Sequence, residues 1–225
     1  MNYLALFQRL KLECGVSGSI PSSVLNQQGE MLNLVTWINA AWQDIQNVRE
    51  DWDWLRTSTS FPTVSGQSQY TIAQANTTNF GYWDKATFRS YETATGLDDE
   101  MMMDNITYDE WRDGYLIGSL RNTSTRPYVM AVAPNKSICL APVPNGDYTI
   151  TGDYFTAPTD LVNNTDIPAM PVKFHIAIVY RAMMSYGAYE SAPEVYQRGE
   201  VEYNKILRRM MFDQLPEIRT GSALA

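Results

Sequence analysis

The chain has 225 residues, 44% hydrophobic and 19% charged, which suits a folded core, or a core with a second module inserted into it, and argues against a disordered polymer. Its net charge is −8, and residues 61–170 hold thirteen Asp/Glu against six Lys/Arg, so the body is a poor clamp for nucleic acid. Apolar runs fall far short of the ~20 residues of a membrane span, and the amphipathic opening argues against an export leader.

Residues 2–14 read as a short amphipathic helix, with Tyr3, Leu4, Phe7 and Leu10 on one face and Gly15 as its stop. Gly15 to Gly29 is rich in Gly, Ser and Pro and reads as a loop. From there Met31, Leu34, Ile38, Ala41, Ile45, Val48, Trp52 and Leu55 follow at alternating spacings of 3 and 4, which predicts one helix over 29–55. Trp37 and Trp42 widen its apolar stripe, so the helix has to bury it against other helices.

After Arg56 the apolar period changes to two. Thr57–Val64 and Gln67–Ile72 surround Ser65-Gly66 and predict a hairpin. Further strands are expected over 85–91, 126–132, 137–140 and 148–155, the last two flanking the turn Pro142-Val-Pro-Asn-Gly. Thr107 and Glu110 have the spacing of a capping box for a helix over 108–114. A Pro/Asn/Asp-rich connector over 156–170 leads back to helices over 171–189 and from about Ser191 to Asp213, where Ser191 and Glu194 form a second capping box.

The fold class expected is therefore α+β: a bundle of long terminal helices with an inserted β-rich module. Residues 1–56 and 171–213 supply the bundle, 57–170 the module, and 214–225 a flexible tail.

Chemistry is hard to find. The one histidine, His175, has no Ser-His-Asp or Cys-His context and reads as packed or capped. Cys14 and Cys139 read as buried free thiols, without zinc-ligand spacing, and no phosphate-binding or dinucleotide loop occurs. Asp98-Asp99-Glu100 and Asp104 supply the carboxylates a glycosidase needs, but after Gly96 they read as a solvated acidic loop. Met101-Met102-Met103 reads either as strand core or as an adaptable contact surface. No cofactor, metal or catalytic residue is expected.

Several short motifs resemble tailed-bacteriophage head-to-tail adaptor proteins. They are Leu12-Glu-Cys-Gly-Val-Ser-Gly, Gly29-Glu30, Val35-x-Trp37-Ile38, Ala41-Trp42-x-Asp44-Ile45-Gln46 and Trp52-x-Trp54-Leu55. Arg126-Pro127-Tyr128, Leu140-Ala-Pro-Val-Pro-Asn-Gly-x-Tyr148-Thr, Gly152-Asp-Tyr154, Asp166-x-Pro168-x-Met170-Pro171, Arg181-Ala182 and Glu202-Tyr203 continue the likeness over nearly the whole chain. The resemblance implies a virion structural protein, assembled in the host cytoplasm, that forms a ring of commonly twelve subunits at the head–tail interface. Its implied partners are the portal protein, neighbouring subunits, and tail or nozzle proteins, with DNA passing through the channel without specific binding and no membrane contact. The alternatives are another tail structural or completion protein, or a glycan-binding or cell-wall-degrading tail module. On the adaptor reading, the candidate portal or subunit interface is Arg208, Arg209, Phe212, Ile218, Arg219 and Leu224. The cations bias this region positively, and Ile218 and Leu224 are apolar anchors on a small, polar strip.

Overall fold

A computed structural model describes residues 1–214 and has five helices and two sheets of four strands. The helices are α1 (Tyr3–Glu13), α2 (Gly29–Val48), α3 (Tyr108–Tyr115), α4 (Ile176–Tyr189) and α5 (Pro193–Gln214). The strands are β1 (Arg56–Pro62), β2 (Gln69–Tyr70), β3 (Phe80–Glu92), β4 (Met101–Met102), β5 (Asp104–Asn105), β6 (Val129–Val132), β7 (Ile138–Ala141) and β8 (Tyr148–Thr156). They form two compact units. Met1–Leu55 and the described chain from Pro158 to Gln214 make a helical unit, and Arg56–Ala157 make a β-rich unit.

In the helical unit α4 packs against α1, α2 and α5. Its apolar positions leave Ala177, Ile178, Val179, Ala182, Met183 and Gly187 buried. The ring of Trp37 meets Tyr186 and Tyr189, while Asp44 pairs with Arg181 at 2.6 Å, so α2 and α4 run antiparallel. At the α4–α5 contact a Cβ on Gly187 would lie 2.6 Å from the Tyr196 amide nitrogen, and one on Gly199 would lie 2.8 Å from the Tyr180 carbonyl. Both glycines are required by close backbone approach. The stop at Gly15 follows the expected logic: φ is +67°, and the Gly15 and Val16 amides cap Leu12 and Lys11.

Two local expectations are corrected here. The second helix ends at Val48 rather than Leu55, because Arg49 turns extended (φ −145°, ψ 143°) and pairs with Asp51. Trp52 is nevertheless fully buried. Its indole folds back and donates to the Ile45 carbonyl at 3.0 Å, satisfying one of the orphan acceptors of the last turn. At the start of α5, Ser191 has φ 53° and lies two residues before Pro193, so Ala192 stands in the capping position and the Ser191–Glu194 box does not form. The Thr107–Glu110 box does form, with both reciprocal bonds in place.

The β-rich unit is layered. One sheet has the order β1-β8-β3-β4 and the other β2-β7-β6-β5. Phe61, Trp83, Phe88, Ile150 and Tyr154 of the first sheet share one core with Tyr70, Met130, Ile138 and Leu140 of the second. Along β6 and β7 the alternate residues Val129, Ala131, Cys139 and Ala141 point the other way, onto Trp111 of α3. Both faces of β7 are thus buried. The hairpin expected around Ser65-Gly66 is absent, since β1 pairs with β8 and β2 with β7. Period two specifies that a segment is a strand but not which strand it joins. The strands on either side of Pro142-Val-Pro-Asn-Gly likewise enter different sheets.

Residues 158–170, grouped by composition with the inserted module, pack with the helices. Amide side chains spaced along α2 hold them. Asn39 exchanges two hydrogen bonds with the Leu161 main chain (2.8 and 2.9 Å), Gln46 exchanges two with Thr159 (3.0 Å each), and Gln43 donates to Asp160. The two-bond pairs imitate a strand edge. Gln46 is 1% exposed, so Gln46→Leu leaves the Thr159 amide and carbonyl without their partner. A loss of about 1–3 kcal/mol is expected, read as a lower urea midpoint with unchanged slope.

Candidate assembly surface

The carboxyl-terminal half of α5 carries three cations and no acid over residues 203–212. Val201, Lys205, Arg208 and Phe212 recur at spacings of 4, 3 and 4, so they lie along one stripe of the helix. All four are exposed, and Phe212 is 87% exposed, unusual for an ordered aromatic side chain. The opposite face buries Tyr203 and Met210. Lys205 is drawn to Glu202 at 3.4 Å, whereas Arg208 and Arg209 form no ion pair among the described residues.

The structure therefore brings together Arg208, Arg209 and Phe212 of the expected interface. Ile218, Arg219 and Leu224, with the expected tail from Leu215 on, lie outside the described residues.

The end of α5 is fixed to the start of α4, because Lys173 reaches Asp213 at 2.5 Å. The connector before α4 is braced rather than loose. Asp166 accepts from the Val162 and Asn163 amides (2.7 and 2.8 Å), and its carbonyl takes the Tyr3 amide. Asn164 accepts from the Val24 amide at 2.7 Å and holds the 15–28 loop. These ordered turns present Val162 and Ile167 to solvent, and Val172, next to Lys173, is exposed as well. No signal in the sequence separated these apolar residues from ordinary buried ones.

His175 is packed and capped, as expected. It is fully buried, with Nε2 donating to the Met170 carbonyl at 2.9 Å and Nδ1 facing the Met1 amine at 2.6 Å. Burial pushes its pKa below the ordinary 6.5. Cys14 and Cys139 are buried free thiols, pushed by burial up to about 12 and about 11.

The acidic loop is a brace. Asp99 accepts from the Glu92 amide (3.0 Å) and from Arg126 (2.7 Å), whose other nitrogen donates to the Ser90 and Asp99 carbonyls. These bonds hold the Asp99 carboxyl below its ordinary range, opposite to the upward shift a glycosidase acid requires. Glu100 pairs with Arg89 at 3.4 Å. The methionines divide: Met103 joins the sheet core, while Met101 and Met102 are exposed on the edge strand β4. Among the described residues no group of His, Cys, Asp and Glu is arranged to hold a metal, and no helix is long and apolar enough to cross a membrane.

The shifts set the acid response. His175, Asp51, Asp99, Asp166 and Asp213 all have depressed pKa values in the fold. The unfolded chain then binds more protons, so stability falls as the pH is lowered. The histidine part is complete above 6.5 and fades below it, and the carboxylate part begins to fade near 3.8. A thermal-melting series against pH should show a two-stage decline, and His175→Gln should remove the first stage.

The model of the SU10 adaptor protein family matches residues 1–223. The chain belongs to that family and is a phage adaptor-type protein, a virion component. No curated protein matches it.

Proposed function

We infer that the chain is a head-to-tail adaptor whose copies close into a ring beneath the portal and join the capsid vertex to the tail. The observation that carries this reading is the match of residues 1–223, nearly the whole chain, to an adaptor family. The exposed stripe Val201–Phe212 supports it, since a large ordered aromatic beside arginines that form no ion pair among the described residues is the composition of an interface and not of a free helix face. The ring has about twelve copies on the resemblance in sequence, and its lower side meets tail or nozzle proteins. The chain acts by contact and carries out no reaction; its only histidine and the Asp99 and Glu100 carboxylates are engaged in structural bonds. The acidic excess over 61–170 suits a channel wall from which DNA phosphates are repelled, so the genome passes without sticking.

The net −8 opposes self-association, so the free chain stays monomeric or weakly associated and closes only on the portal. Sedimentation velocity with and without purified portal is the test. A fast-sedimenting complex should appear only in the mixture. A stable ring at micromolar concentration without portal counts against portal-triggered closure, and no complex in the mixture removes the adaptor reading.

A further inference from the structure

The β-rich unit holds a second exposed apolar surface of opposite charge. Residues 92–113 contain eight Asp/Glu and one Arg. Within them Leu97, Met101 and Met102 are 69%, 50% and 57% exposed, on a segment that Asp99 and Arg126 hold in place. Met101 and Met102 form β4, an outer strand of their sheet, and Asp98 between them and Leu97 is exposed and has no ion pair among the described residues. Met102 Sδ accepts from Arg89 Nε at 3.2 Å, but the exposed apolar surface of the three side chains on this braced segment buries nothing in the fold. The bracing does prepare a surface whose ordering cost is already met before a partner arrives.

We propose that Phe212, Arg208 and Arg209 of one subunit dock on Leu97, Asp98, Met101 and Met102 of the next. The occupant is a second copy of this chain, because the chain itself carries the complement: three cations without an acid over 203–212 face an acidic stretch rich in thioether. Flexible methionine side chains mould to an aromatic ring and add sulfur–aromatic contact. Asp98 supplies a carboxylate for a guanidinium. The two surfaces are different, so each copy offers one of each. Taken with the ring reading, the contact is heterologous and repeats head to tail from copy to copy, each subunit giving its α5 stripe to one neighbour and its β4 surface to the other.

This inference rests on the ring reading above, and its test separates the two. Phe212→Cys and Leu97→Cys are made in separate chains, assembled on portal singly and as an equal mixture, and oxidised with copper phenanthroline. Cys14 and Cys139 are buried and give no background. A disulfide-linked dimer is expected in the mixture and in neither single variant. In parallel, Arg209→Glu and Asp98→Arg should each lower ring yield several-fold at low salt, and the chain carrying both should recover it. A wild-type ring without cross-link or charge rescue overturns this contact and leaves the ring standing. Dimer from one variant alone overturns the heterologous geometry. Loss of portal binding in Arg209→Glu that Asp98→Arg does not restore gives the stripe to the portal instead. If wild type forms no ring, both readings fall.

Discussion

Trp52→Ala should lower the stability of the helical unit by about 3–5 kcal/mol, a large part of the total for a unit of this size. The indole is fully buried, stacks on Trp54 with ring centroids 4.4 Å apart, and donates to the Ile45 carbonyl. Truncation removes the packing, leaves a cavity and returns an uncapped carbonyl to the end of α2. Trp52→Phe keeps most of the ring and loses the hydrogen bond, so it should cost about 1 kcal/mol. Denaturant melts of the two variants separate the packing effect from the cap. Equal losses would show that the hydrogen bond dominates and that the burial is dispensable.

Trp111→Ala should act on the other unit by a similar amount, about 3–5 kcal/mol. Trp111 is the only fully buried residue of α3, and it lies on the small side chains Ala131, Cys139 and Ala141 while its Nε1 donates to the Leu140 carbonyl at 3.2 Å. Without it α3 loses its one fully buried anchor on the outer face of β6 and β7 and keeps only the partly buried Tyr108 and Tyr115 there. Cys139 reports the event directly, since its thiol is buried at present. Reaction with a thiol reagent should label Cys139 rapidly in Trp111→Ala and leave Cys14 protected. Labelling of both at equal rates would mean that the whole chain opens together.

The period of the apolar residues made the helix–strand–helix order legible, because burial follows the same spacing that sequence displays. It misled at Trp52 and Leu55. Both are buried as a helical seam demands, but after the chain has left the helix at Arg49, so correct burial concealed a wrong conformation. Strand partners were out of reach for a different reason. β1 pairs with β8 across most of the module, and only long-range closure decides that. Asn39, Gln43 and Gln46 look like solvated helix positions, and their role depends on a connector 113 to 122 residues further along. For the candidate surface, charge and composition singled out Arg208, Arg209 and Phe212, which lie exposed on one end of α5. The exposure of Met101 and Met102 needed the structure, since the same three methionines fit a strand core equally well until Met103 alone turned inward.

The central claim is that this chain joins head to tail by closing a ring on the portal. Electron microscopy of the purified full-length protein mixed with portal rings tests it most directly. The account predicts a second ring stacked on the outer end of the portal, coaxial with it and open along the axis. Bare portals beside unbound protein, or density placed on tail structures alone, would contradict it.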